Sequence, residues 1–140
     1  MKDFKESLIR LCEQKLIEKA RSLGEDVEEL KRSMETETKS SVGDKHETAR
    51  ARMQAEEEKL SLRMREIAEQ TLQMVRTEKK LIITDKEMFL LAVALGKVEL
   101  EGKTVFVISP GSPIGNALVI CKVGETISFN QTNYKILEIV

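Results

Sequence analysis

The stretch "SSVGDKHETARA", Ser40–Ala51, is the most polar part of a 140-residue chain, and the apolar residues on its two sides mirror each other about it. Upstream, Leu16, Ala20, Leu23, Val27, Leu30 and Met34 recur in steps of four and three, the spacing of a coiled-coil seam. Downstream, Met53, Glu57, Leu60, Met64, Ile67, Thr71 and Met74 repeat the alternation. Met34 pairs with Met53, Leu30 with Glu57, Val27 with Leu60, Leu23 with Met64, Ala20 with Ile67 and Leu16 with Thr71. The residue numbers in every pair total 87. A constant total is what two antiparallel helices require, and half of it falls between Gly43 and Asp44. The polar stretch is therefore predicted to be the tip, near residues 40–48, of a helical hairpin spanning 1–79. Glu57 and Thr71 weaken the seam, and Gly24 costs a helix about 1 kcal/mol relative to alanine. At about 1.5 Å per residue, an arm of nearly thirty residues reaches roughly 40 Å. A dimerisation coiled coil is the alternative that the seam leaves open.

The composition divides at the same place. Of 47 charged residues, 36 precede position 81, whereas both prolines and five of the seven glycines follow it. That contrast predicts a charged helical element joined near Thr77–Lys80 to a compact, turn-rich domain over 80–140. Net charge is −1, so neither a broad affinity for nucleic acid nor attraction to anionic membranes is expected; independent sequence-specific DNA binding is not expected either. No apolar run approaches the roughly 20 residues of a membrane span. The opening "MKDFKESLIR" lacks the basic-then-apolar pattern of a secretory signal. Cys12 and Cys121 are far apart, without metal-type spacing, in a chain with one histidine. They read as reduced, partly buried thiols of a cytosolic protein. A nucleophilic cysteine is the sharper reading, but no base lies nearby in sequence.

In the last sixty residues, "KLIIT" and "MFLLAVAL" read as strands, although periodicity allows the second to be a helix. "KVELEGKTVFVIS" predicts a hairpin turning at Glu101-Gly102. "SPGSPIGNALV" supplies a helix start, with Ser112 as N-cap and Pro113 at the first helical position. "KVGE" is a turn, and "TISF" and "YKILEIV" form a last strand pair joined through Asn130–Asn133. Four to six strands with one short helix predict an antiparallel α+β domain.

With these elements in order, the chain resembles the bacterial Gre transcript-cleavage factors over nearly its whole length. The resemblance rests on the hairpin, on "ISPGSPIGNALV", "KVGE" and "YKILEI", and on a tip "GDKHETA" similar to the family's Gly-Asp-x-x-Glu-Asn-Ala. The matching C-terminal positions are Ser109, Pro110, Pro113, Ile114, Gly115, Ala117, Leu118, Gly124 and Glu125. Thr48 stands where the family usually has asparagine, Ala51 where an aromatic residue is common, and His46 is an unusual companion between the acids. "DKEMFLLAVALGKVELEGK" matches the family's early strands weakly. The resemblance implies an FKBP-like C-terminal domain and a cytoplasmic accessory factor for RNA polymerase that is not itself an enzyme. Its hairpin would enter the polymerase's secondary channel and meet the backtracked RNA 3′ end. Asp44 and Glu47 would then help hold a magnesium ion shared with the polymerase, with no cofactor bound by the chain alone. Lys45, Arg50 and Arg52 would face RNA phosphates or channel walls, and Ser109, Pro110, Pro113, Ile114 and Gly115 would dock on the polymerase rim. The departures at the tip make a non-cleaving channel regulator or inhibitor the alternative.

The tip residues also have a local reading. Asp44 suits an N-cap and Glu47 a capping box, and both acids suit the positive end of a helix dipole. Being three apart, they can point to one side of a helix start. Lys45, Arg50 and Arg52 are equally a solvated face, and His46 an exposed residue. A prolyl isomerase would follow from fold analogy alone, and the chain's lack of tryptophan leaves little to line a proline pocket.

Overall fold

A chain without proline before position 110 and with one interior glycine before 43 can sustain very long helices. The computed structural model describes the backbone of residues 1–39 and 43–140 and the side chains of residues 1–36 and 47–140. It contains α1 (Lys2–Lys39) and α2 (Gly43–Arg76), which contact each other as a helical hairpin. The strands are β1 (Lys80–Thr84), β2 (Met88–Leu91), β3 (Gly96–Leu100), β4 (Lys103–Ile108), β5 (Thr126–Phe129) and β6 (Thr132–Ile139), with α3 (Pro113–Val119) between β4 and β5. The class is α+β. Helix gives way to strand between Arg76 and Lys80, at the expected junction. Compactness groups the residues differently: one unit is Gln14–Glu69, and the other combines Met1–Glu13 with Gln70–Val140.

In the unit Gln14–Glu69, burial follows the predicted seam in part. Leu16, Leu23 and Leu60 are buried, and Val27, Leu30, Met34, Met53 and Ile67 are half-buried. Ala20, Glu57 and Met64 are exposed, against expectation. A carboxylate such as Glu57 loses more by leaving water than a seam position returns. The seam on α2 is thus one residue per seven, Met53, Leu60 and Ile67, narrower than the sequence pattern predicts. On the outer surface Arg21 donates to both Glu18 and Glu25, a ladder at i,i+3 and i,i+4.

The other unit is built on a six-stranded sheet of order β3-β4-β2-β1-β6-β5. Every neighbouring pair is antiparallel except β2 and β4, which run parallel with Phe89 beside Phe106. An all-antiparallel sheet was the expectation. The parallel pair arises because β3 folds back outside β4 as an edge hairpin, leaving β4 to lie beside β2. "MFLLAVAL" is strand only over its first four residues. The β3–β4 turn is the expected Glu101-Gly102, both with positive φ, a two-residue hairpin turn that glycine eases at its second position.

Strand alternation gives this sheet two buried faces. On one, Ile82, Phe89, Leu91, Tyr134 and Ile136 form a cluster with Leu118 of α3 and Cys121, joined by the half-buried Phe106, Ile108 and Ile114. The Phe89 ring meets Tyr134 edge-on at 5.5 Å. On the other face Leu81, Leu90, Val105 and Val107 are fully buried. The same unit also contains the first turns of α1 and the last of α2. They bring Phe4, Leu8, Cys12 and Met74, all buried, and Lys103 Nζ lies 5.3 Å from the Phe4 ring centre.

Candidate functional site

Two groups of residues were singled out by sequence, and they lie in different compact units. The first belongs to the start of α2. The described part of α2 starts at Gly43, with Asp44 in its first turn, and the N-cap contact expected of the Asp44 side chain lies outside the described residues. An acid there still suits the positive end of the helix dipole. The side chains of Asp44, Lys45 and His46 lie outside the described residues, as does the whole of Ser40–Val42. Glu47, Thr48, Arg50 and Arg52 are exposed. Glu47 therefore offers its carboxylate to solvent or to whatever approaches the tip.

Asp44 and Glu47 are hard oxygen donors, the ligand type that magnesium takes, and two carboxylates leave most of an octahedron to other ligands. Among the described residues no group of three or more His, Cys, Asp or Glu side chains is placed to hold a metal ion.

The second group is the segment from β4 into α3. Ser109 organises it. Its Oγ accepts from Gln73 Nε2 at 2.9 Å and from the Gly111 amide at 3.3 Å, while its carbonyl accepts from Ser112 Oγ at 2.7 Å. Ser112 is the N-cap of α3 as expected, with extended backbone and its Oγ accepting from the Gly115 amide at 3.1 Å. Pro113 follows at the first helical turn. Gly115 has no room for a side chain: an added Cβ would stand 2.0 Å from the Ser109 carbonyl oxygen. Gly115 is buried, Ser109, Pro110 and Ile114 are half-buried, and Pro113 is exposed. Of the predicted docking residues, Pro113 is thus the exposed one, while Gly115 is buried and Ile114 half-buried.

Residues that sequence reasoning missed are Gln70 and Gln73, in the last turns of α2. Gln70 Nε2 donates to the Ala94 carbonyl at 3.2 Å, and Gln73 reaches Ser109. Two glutamines three apart near the end of a charged helix were the only available signal. Exposed apolar residues Val119, Ile120 and Val123 follow the α3 segment directly.

Cys121 does not have the surroundings of a nucleophile. Cys12 and Cys121 are both buried and unbridged. Burial, and then the charge of Glu125, push the Cys121 thiol above its ordinary range, the opposite of what a reactive thiolate needs. Among the described residues no helix is long and apolar enough to cross a membrane. No protein-family model, no curated protein and no solved structure matches this chain.

Proposed function

We propose that this protein is a divergent Gre-like accessory factor that inserts its hairpin tip into the secondary channel of bacterial RNA polymerase and promotes cleavage of backtracked RNA. The observation that carries the reading is the order of parts in one chain. A long helical hairpin begins its second helix at Gly43, with Asp44 and Glu47 in the first turns, and is followed by an α+β sheet unit bearing the Ser109–Leu118 segment. The chemistry belongs to the partner. Asp44 and Glu47 would hold a magnesium ion jointly with polymerase ligands, which supplies charge neutralisation at the scissile phosphate and a more acidic attacking water. Glu47, three residues on, also orients that water, and Arg50 and Arg52 on the exposed start of α2 face phosphates. Ser109, Pro110 and Pro113 present the docking edge, held by Gly115 and Ile114.

The test is RNA shortening in stalled elongation complexes of purified bacterial polymerase. Wild-type protein should accelerate it, and Asp44→Asn and Glu47→Gln should each slow it by about a hundredfold while still binding the polymerase. Unchanged cleavage in both variants overturns the catalytic assignment. A second reading, a channel-binding regulator without cleavage activity, is favoured by Thr48 and Ala51 at the tip. It predicts competition with an active cleavage factor and altered nucleotide addition, with the backtracked RNA left intact.

A further inference from the structure

At one end of the sheet lies a solvent-open groove of about 470 Å³ that neither the hairpin tip nor the Ser109–Leu118 segment uses. Lys86, Lys97 and Lys103 rim it together with Glu87, and Phe106 and Met88 provide its apolar lining. Residues 80–140 carry six lysines and six carboxylates, so this part of the chain is neutral as a whole. Three of those lysines but only one of those carboxylates line this one groove. Among the described residues, no carboxylate stands within ion-pairing distance of Lys97 or Lys103, and the Lys103 ammonium rests 5.3 Å from the Phe4 ring centre, a contact it would exchange for a carboxylate. Lys86 has only a long contact to Asp85, at 3.8 Å, and otherwise donates to the Asn133 carbonyl and lies 5.8 Å from the Tyr134 ring centre. Phe106 is half-buried, with its ring 6.0 Å from Phe89, so the apolar lining is fixed by packing.

We propose that this groove binds an acidic peptide segment of a partner protein, seating one apolar side chain on Phe106 and Met88 and setting its carboxylates on Lys86, Lys97 and Lys103. Single-stranded nucleic acid fits less well. It calls for a run of aromatic platforms along a continuous cationic track, and here there is one aromatic residue and an acid, Glu87, on the rim. Carboxylates on separate flexible side chains reach three lysine point charges individually and avoid Glu87. The volume suits one anchoring side chain with its flanking residues. This inference stands on the sheet alone and is independent of the reading of the hairpin tip.

The full-length chain titrated with a fluorescein-labelled Asp-Glu-Phe-Glu-Asp peptide should show saturable anisotropy that weakens as salt rises. Lys97→Glu, on an exposed side chain without an ionic partner, should weaken binding about five- to tenfold. Lys122→Glu makes the same charge change outside the groove and should leave binding within about twofold. Replacing the central phenylalanine of the peptide with alanine should cost about tenfold, and amide shifts of Thr104 and Phe106 should report the same site. Three results overturn the proposal: no saturation at millimolar peptide, equal weakening by Lys97→Glu and Lys122→Glu, or tighter binding of a labelled oligouridylate of equal charge.

Discussion

The hairpin Gln14–Glu69 and the sheet unit solve the same problem with very different means. Among the described residues of the hairpin, Leu16, Leu23 and Leu60 are the buried side chains. The rest of its order comes from the half-buried Val27, Leu30, Met34, Met53 and Ile67, from backbone hydrogen bonds and from surface pairs such as Glu18–Arg21. The sheet unit buries both faces of its central strands β1, β2 and β4, with Leu8, Leu81, Leu90, Val105, Val107, Leu118 and Ile136 at or near zero exposure. A narrow seam between two helices opens locally at small cost, whereas a two-faced core opens as a whole. The difference assigns stability to the sheet and leaves most of the arm's surface free to carry charge.

The largest effect should come from paired core truncations. Leu90→Ala empties a fully enclosed site in the central part of the sheet and should cost about 3–5 kcal/mol. Leu60→Ala, in a seam that neighbouring side chains and water can refill, should cost about 2 kcal/mol, near the lower end of such truncations. Calorimetry gives the totals, and hydrogen exchange gives the location. Leu60→Ala should accelerate exchange in the arm alone, and Leu90→Ala throughout the sheet unit. Equal costs, or equal spread of exchange, would remove the contrast between the two regions.

A smaller effect, but one that separates the regions by sign, comes from glycine. Gly115→Ala pushes a methyl group against a backbone oxygen that the Ser112 cap holds in place, and should destabilise by about 1–3 kcal/mol. Gly24 sits mid-helix, exposed, with nothing within 4 Å of an added Cβ. Gly24→Ala should therefore stabilise by about 0.5–1 kcal/mol through helix propensity. Thermal melts of the two variants check the signs directly.

The same contrast explains what the sequence made legible. Helix periodicity and turn chemistry are local, so the hairpin, the Glu101-Gly102 turn, the Ser112 cap and the last strand pair were readable residue by residue. Burial at Ala20 and Met64 was over-read because a heptad position is only an opportunity for contact, while Glu57 was already legible as a break in the seam. The parallel β2–β4 pairing was invisible because it joins strands across an intervening hairpin and leaves no mark in either strand. At the candidate site, Asp44 and Glu47 were found as acids in a polar island, while Gln70 and Gln73 were passed over. Their role depends on carbonyl and hydroxyl groups more than twenty residues away, at Ala94 and Ser109. The basic groove escaped notice for the same reason: Lys86, Lys97 and Lys103 are spaced without period and meet only once the sheet has formed.

The smallest effect is in pH dependence, and it too should differ between the regions. In the arm, the hydrogen bond and then the charge of Arg21 hold the Glu18 carboxyl below the usual range on a fully exposed surface. Its contribution is present above the unfolded carboxyl's pKa and fades as acid protonates it, and solvent screening keeps it slight. In the sheet unit, Cys121 is 8% exposed, its Sγ donates to the Leu118 carbonyl at 3.2 Å, and burial raises its pKa. A raised folded pKa means that the native state keeps the proton while the unfolded chain gives it up. Stability is therefore complete below the unfolded thiol's pKa, about 8.5, and declines as pH climbs beyond it. Wild type should accordingly lose, between pH 7.5 and pH 10, stability that Cys121→Ala does not lose. Denaturant titrations of both proteins across that range measure the gap. A gap that stays constant would show that the sheet does not hold the thiol proton, and that this part of the core is as open to solvent as the arm.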